Sequence, residues 1–518
     1  MTGGLIQLVA YGVQDLFLTR DPQITFFKVV YRRHTNFSVE QKTQFFVTPP
    51  NFGKTSTCIL SNQGDLIQQI YLIIVLPQIK QFYTTPTQID NNTKFAWIRK
   101  IGFGMIDYIE IEIGGQVIDR HYGEWLNLWH EMFMPKNLDK SLNNMIGNIP
   151  DLYNFTNGKD SHTLYIPLQF WFCRNSGLAL PMVALQYSEV KIRVVIKDAD
   201  SCYIITPTNY IQIYNDSVNF QPLEYIEQNI NGRIASGIFT YYDLIQKRLY
   251  YKKISKNDFT SISGEAIYGL DIIDTVFSNN NRKYSIHGIS SNNIVMQQIN
   301  TTSKLCTLNI QQIENISIQD CFLLVNYIYL DSDERLRFIQ SKHDYLIEQV
   351  SYVNEKVISS YISKIKLDLL QPSKLIVWVV QQDYLQDKVN NDFFNYTDNY
   401  MYVGDKPIGK NFIVNETIRL NDNDRISMRS FQYFSQVQSY QYLNHNPNEG
   451  INLYSFCNFP DKFQPSGSCN MSQIDNPLLI LQLGNIININ NIAKMRAYSF
   501  NYNVLRIVNG LSGIVFTK

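Results

Sequence analysis

Residues 164–196 read LYIPLQFWFCRNSGLALPMVALQYSEVKIRVVI, and the fold follows from how this run divides. Leu164 to Cys173 crowds Leu, Ile, Phe, Trp and Phe into a span too short for a helix so rich in aromatic and β-branched neighbours, which predicts a buried strand. Val190 to Ile196 alternates: Val190, Ile192, Val194 and Ile196 are expected to face a core, and Lys191, Arg193 and Lys197 to face water. The link between them carries the turn-formers Gly177 and Pro181.

A chain of 518 residues exceeds the size at which one core usually stops growing, so two or more domains are expected. Formal net charge is zero and charged residues are 17%, which excludes a protein that coats nucleic acid by neutralising phosphates. Its partners are therefore expected among proteins. The seven cysteines, at 58, 173, 202, 306, 321, 457 and 469, form no CxxC pair and have no His at ligand spacing, so neither a disulfide framework nor a zinc site is expected and a reducing compartment fits. The opening MTGGLIQLVAYGVQD lacks a basic leader and does not read as a signal peptide. The longest apolar runs, Ile70–Leu76 and Leu375–Val380, are strand-sized, far short of the ~18 residues of a membrane span. Asn36, Asn154 and Asn395 open glycosylation sequons of the kind so Asn-rich a chain produces by chance.

Along the chain, residues 1–25 form an apolar arm with Leu5, Ile6, Leu8, Val9, Leu16 and Phe17, which either packs on the domain or tethers a neighbouring subunit. Ile24 to Phe46 is expected to be a strand pair broken at Arg32, Arg33 and His34, a solvated turn or subunit contact. Thr55–Leu60 and Ile67–Leu76 are strands. YIEIEI at 108–113 turns through Gly114-Gly115 into Gln116–Asp119, a hairpin whose Glu110 and Glu112 are expected to face solvent and not to form an acid/base dyad. GEWLNLWHEM at 123–132 predicts a helix with Trp125, Leu128, Trp129 and Met132 on one face. His130-Glu131 lacks the second His of a zincin motif, Met134 standing in its place, and Gly102-Phe-Gly104 lacks the third glycine of a dinucleotide loop. Asp331 to Arg335 is an acidic turn without the remaining ligands of a calcium loop.

From about 200 to 317 the chain is rich in Asn, Ser, Ile and Tyr with weak strand signals, as in a long insertion. Strands are expected again at 321–330, 343–353, 359–370, 375–380, 426–442, 451–456, 478–483 and 495–508, with a polar excursion at 382–424. INLYSFCNF at 451–459, QPSGSCNMSQIDN at 464–476 and LLILQL at 478–483 echo the opening stretch, and a Tyr-rich strand follows in each copy, NYIYL at 326–330 and YSFNYNVLRI at 498–507. The reading is all-β: an N-terminal arm at 1–25, a first jelly roll at 26–340 that holds the insertion, and a second at 341–518, with a few short helices.

The blocks LVAYGVQDLFLTRDPQITFFKVVYRRHTNFSVE at 8–40, NQGDLIQQIYL at 62–72, GGQVIDRHYGEWLNLWHEM at 114–132, LQFWFCRNSGLALPMVALQYSEVKI at 168–192, YIYLDSDERLRF at 327–338, HDYLIEQV at 343–350, QPSGSCNMSQIDN at 464–476 and FNYNVLRIVNGLSG at 500–513 resemble the major capsid proteins of nucleocytoplasmic large DNA viruses, the mimivirus-like branch in particular. The resemblance spans both halves and leaves out the insertion and the 382–424 excursion. It implies a double jelly roll, pseudo-hexagonal homotrimeric capsomers and an icosahedral virion shell over an inner membrane, built in the host-cell cytoplasm. The implied partners are the chain itself, neighbouring capsomers, minor capsid and penton proteins and proteins of the inner membrane, with no sequence-specific nucleic acid binding.

A structural, self-assembling protein is thus expected, with no catalytic, cofactor-binding or metal residue and no cofactor. The alternative is a β-sandwich carbohydrate-binding module or enzyme, since the architecture alone does not decide function. Against it, the sequence offers no nucleophile, base and orienter set, metal cluster or phosphate loop. The insertion is expected to cap the end that carries the fourth-to-fifth and sixth-to-seventh strand links, the outer face in the resembling family.

Overall fold

The computed structural model describes the chain except residues 1–2, 11, 30, 91, 214, 216, 222, 231–232, 261–284, 297–300, 307–315, 389, 490 and 517–518. Eight strands build a first sandwich: β1 (Phe37–Phe45), β2 (Thr55–Ile59), β3 (Leu66–Leu76), β4 (Ile106–Ile113), β5 (Gln116–Tyr122), β6 (His162–Pro167), β7 (Val190–Ile196) and β8 (Asp320–Leu330). They pair antiparallel in the orders β1-β8-β3-β6 and β2-β7-β4-β5. A second set repeats the plan: β9 (His343–Ile358), β10 (Ile362–Lys366), β11 (Pro372–Gln382), β12 (Ile413–Leu420), β13 (Asn423–Ser430), β14 (Ile451–Ser455), β15 (Pro477–Leu483) and β16 (Ala493–Val508). Their orders are β9-β16-β11-β14 and β10-β15-β12-β13, so each strand has its counterpart eight places on. This is the double jelly roll that the echo between the two halves predicts.

Period-two alternation decides the inner faces. Val190, Ile192, Val194 and Ile196 are buried, as expected, while Lys191, Arg193 and Lys197, expected to face water, are partly buried. The β4–β5 hairpin turns on Gly114 and Gly115 at φ 59° and 84°, the left-handed pair of a tight two-residue turn.

Several expectations need correction. The strand in the opening stretch ends at Pro167, and Trp171–Arg174 is a single helical turn. Phe170, Trp171 and Phe172 still fill the first core, but as the plug of a link rather than as a strand. The described residues of 24–31 form no strand, and Ile24, Phe26, Phe27, Val29 and Tyr31 lie exposed. Strand β12 falls inside the supposed 382–424 excursion, and 431–442 is helical where strand was expected. The insertion is no loose loop. Asn209–Gln212, Tyr225–Ile230, Arg233–Asp243, Arg248–Lys253, Ser285–Gly288, Ile294–Met296 and Lys304–Leu305 form one sheet over a core that includes Ile211, Phe239, Leu249, Tyr251 and Ile286.

The insertion also sits at the opposite end from the one expected. Tyr203–Thr206, at its start, pairs with Lys94–Trp97 of the β3–β4 link. Ile318 N–H donates to Asn51 Oδ1 of the β1–β2 link (3.1 Å), and Phe95 of the β3–β4 link exchanges backbone hydrogen bonds with Thr156 of the β5–β6 link. Strands that alternate in direction put the seventh-to-eighth link with the first-to-second, third-to-fourth and fifth-to-sixth. The β4–β5 turn lies at the other end, where Gly114 N–H donates to Glu189 O of the β6–β7 link.

The second core holds a carboxyl. Glu416 on β12 is fully buried and accepts from Trp378 Nε1 at 2.8 Å, while its other oxygen has no hydrogen-bond partner among the described residues. Burial pushes its pKa up to about 8, against the opposing hydrogen bond from Trp378. The folded chain therefore keeps this proton at pH values where an unfolded glutamate has released it. Its stabilising contribution is complete below the ordinary glutamate range and is lost as pH rises toward 8, by roughly 1.4 kcal/mol per unit. In urea unfolding between pH 5 and 8, Glu416→Gln is expected to lose this downward slope relative to the wild type; identical slopes would refute the assignment.

Candidate assembly interface

The helix α1 (Gly123–Phe133) begins straight after β5, with Glu124 in its first turn, where a carboxylate complements the helix dipole. It ends before Pro135, which cannot donate to a continuing helix. Trp125, Leu128 and Met132, at helical spacing, do not turn into the first core. They pack on the outer face of the second sandwich, against Leu375, Val377 and Val379 of β11, Ile451 and Leu453 of β14, and Tyr498 and Phe500 of β16. Trp125 lies 5.7 Å from the Tyr498 ring and 5.8 Å from that of Phe500, centroid to centroid.

Buried charge fixes the orientation. Arg496 on β16, 5% exposed, makes a two-pronged pair with Glu124 through Nε and Nη2, both at 2.7 Å, and Tyr498 Oη donates to the same carboxylate at 2.7 Å. Its remaining donors reach Gln381 at 2.7 Å and Glu355 at 3.3 Å. Burial works to lower the Arg496 pKa, but the Glu124 charge and hydrogen bonds outweigh it and hold the guanidinium above its ordinary value. Burial, reinforced by the Glu124 charge, lifts the Tyr498 phenol well above its own, so it stays a donor.

The opening stretch supplies a second tie. Arg174, at the end of the Trp171–Arg174 turn, pairs with Glu348 of β9 at 2.9 Å and lies 4.9 Å from the Phe500 ring centroid; Lys374 of β11 holds the other oxygen of Glu348. Asp119 on β5 pairs with His121 at 2.8 Å and accepts from Val350 N–H of β9 at 3.0 Å. At the turn end, Tyr187 N–H donates to Gly510 O and Ser512 N–H to Ser188 Oγ, so the C-terminal hairpin latches onto the first sandwich. At the link end, Asn391 donates to Asp200 O and Tyr203 O, and Arg99 lies between the rings of Tyr153 and Tyr402 at 4.0 and 4.1 Å.

Glu110 does not face solvent: it is fully buried between Arg120 (Nε at 2.8 Å) and Arg193 (Nη1 at 2.7 Å), its neighbours across the sheet, while Glu112 is partly buried and pairs with Arg193 at 3.2 Å. His130 is buried with Nδ1 2.7 Å from Leu126 O, and burial brings its pKa down to about 4. Among the described residues no group of three or more His, Cys, Asp or Glu could hold a metal. All seven cysteines are free thiols, and burial pushes Cys58 up to about 11 and Cys173 and Cys202 up to about 12. The sequon residue Asn395 is fully buried and its Oδ1 accepts from Thr397. Asp331 caps the helix Ser332–Gln340 by accepting from Asp333 N–H at 3.0 Å, so the acidic turn is a helix start. In the arm, the helix Gly3–Val9 has no buried residue, so the reading in which it packs on its own domain is not met. Sequence reasoning missed Arg496, Lys374 and Glu348; the available signal was Lys374 beside the apolar run Leu375–Val380, whereas Arg496 and Glu348 lie in strands that carry other charges.

Breaking a buried pair strands its partner. Glu124→Ala is expected to destabilise the chain by about 3–5 kcal/mol in chemical denaturation. Glu124→Leu combined with Arg496→Met should recover most of that loss, and a double variant no better than the single would show that the cost lies elsewhere.

The chain matches two family models, "Major capsid protein N-terminus" over residues 25–245 and "Large eukaryotic DNA virus major capsid protein" over 334–513. It is 42% identical to the probable capsid protein 4 of Acanthamoeba polyphaga mimivirus, across all of this chain and 99% of that one. It is 31% identical to the major capsid protein of Phaeocystis pouchetii virus, across the whole of both. Among solved structures, a PBCV-1 virus capsid chain superimposes with a TM-score of 0.61 at 22% identity, over 95% of this chain and all of that one. The Faustovirus major capsid protein gives 0.65 at 10% identity, over 96% and 94%. With the same two-sandwich fold and both family models matched in order, this chain belongs to the major capsid proteins of large eukaryotic DNA viruses.

Proposed function

We propose that the chain is the structural brick of an icosahedral virion shell, assembling as a homotrimer with a pseudo-hexagonal outline and carrying no catalytic activity. The observation that carries this reading is the duplication itself: two sandwiches of identical strand order stand side by side in one chain, joined by α1. Three such chains present six similar walls, so a closed trimer tiles like a hexamer. The working units are an arm at 1–25, a first jelly roll at 26–340 and a second at 341–518. Partners beyond the trimer are neighbouring capsomers, minor capsid and penton proteins and proteins of an inner membrane, in a virion assembled in the host cytoplasm. The arm is the tether to a neighbouring subunit, since Leu5, Ile6, Leu8 and Val9 are between 52% and 76% exposed on the isolated chain.

Sedimentation of the purified protein is expected to give three times the 60.4 kDa chain mass, with hexagonal outlines in negative stain. A stable monomer at micromolar concentration would sink this reading. Deleting residues 1–25 should leave thermal unfolding of the monomer unchanged and lower the urea concentration at which the trimer dissociates; a trimer of undiminished resistance would remove the arm from this role.

A further inference from the structure

The junction that α1 makes inside the chain has a second, vacant copy of both its halves. Residues 431–442 are helical and follow β13 directly, as α1 follows β5. Counted from the last residue of the preceding strand, Tyr433 and Gln436 stand where Trp125 and Leu128 do, Tyr433 packing on the second core, while Val437 stands where Trp129 does and Tyr440 where Met132 does. Val437 and Tyr440 are 41% and 85% exposed.

The sheet half is duplicated too. Counted from the start of each strand, Tyr71 and Ile73 of β3 match Val377 and Val379 of β11. Ile73 lies opposite Phe322 and Tyr165, and Phe322 lies opposite Phe45, which makes an apolar row across the outer face of the first sandwich. A second row runs Thr43, Leu324, Tyr71 and Pro167. Phe45 is 70% and Tyr165 44% exposed, whereas the matching face of the second sandwich is sealed under α1.

We infer, on the trimer reading above, that the helical face of Val437 and Tyr440 in one copy docks on the outer face of Phe45, Phe322 and Tyr165 in the next, the row that already buries Ile73. This repeats between chains the junction that α1 makes within one. Charge supports the match. Across the strands Phe322 takes the place of Arg496, because Ile73 faces Phe322 as Val379 faces Arg496. On the helix Gln432 takes the place of Glu124. Both halves of the buried ion pair are absent together, so an apolar face meets an uncharged helix and no buried carboxylate or guanidinium is left unpaired. The contact is head-to-tail, since the two patches belong to different sandwiches, and a threefold rotation between copies closes such contacts into a ring of three.

The test uses two full-length variants, one with Val437→Asp and Tyr440→Asp, the other with Phe45→Asp and Tyr165→Asp. All four residues are exposed, so circular dichroism of each chain should match the wild type. Each variant alone is expected to sediment at the mass of one chain. An equimolar mixture should form two-chain species and nothing larger, because only one intact helix face and one intact sheet face remain to meet. A wild-type trimer with variants that stay trimeric, or a mixture that forms no pairs, would overturn this docking and leave the trimer reading in place. A wild type that is itself monomeric would overturn both.

Discussion

A sheet that is apolar on both faces has to be covered on both, and β11 is such a strand. Leu375 to Val380 runs without a polar residue, and all six side chains are buried. Ile376, Trp378 and Val380 fill the second core, which leaves Leu375, Val377 and Val379 to a partner outside that sandwich. α1 is that partner. Burying each of its large apolar side chains is worth on the order of 1.5–3 kcal/mol, so the two sandwiches are held as one body and not as beads on a linker. The Glu124–Arg496 pair adds little net energy for its desolvation, but it penalises any rotation of α1 that would leave either charge without the other.

The same constraint explains why the sequence was legible in some places and not in others. The alternation of β7 and the glycine turn between β4 and β5 are local signals, and the structure follows them closely. FWFC failed because apolar density without a period does not distinguish a strand from a plugging turn; Pro167 had already ended the strand. The described residues of 24–31 failed for the opposite reason: their side chains suit a strand, but they pair with no sheet among the described residues. Glu110 shows a subtler limit. Alternation placed it correctly on the face away from the core, yet its burial depends on Arg120 and Arg193, one of them 83 residues away, and local pattern carries no such distance.

The insertion was misread as weak because its core is drawn from strands that are individually short and rich in Tyr, Asn and Ser. Ile211, Phe239, Leu249 and Ile286 meet only once the sheet exists. The interface charges were passed over for a related reason. Arg496 sits in a Tyr- and Asn-rich strand that also carries Lys494 and Arg506, so it is unremarkable until Glu124 arrives from 372 residues away.

Strand direction links architecture to assembly. Because successive strands alternate, four of the seven links in each sandwich emerge at one end, and in the first sandwich these include the insertion. The corresponding end of the second sandwich meets them through Asn390, Asn391 and Tyr402. Length can therefore be added there without disturbing the β1-β8-β3-β6 and β9-β16-β11-β14 faces, which must keep their shape if walls are to meet walls. A residue inserted within β3 or β11 would send the outer row of side chains to the inner face. An inserted domain at the link end shifts no register, and this chain carries one there.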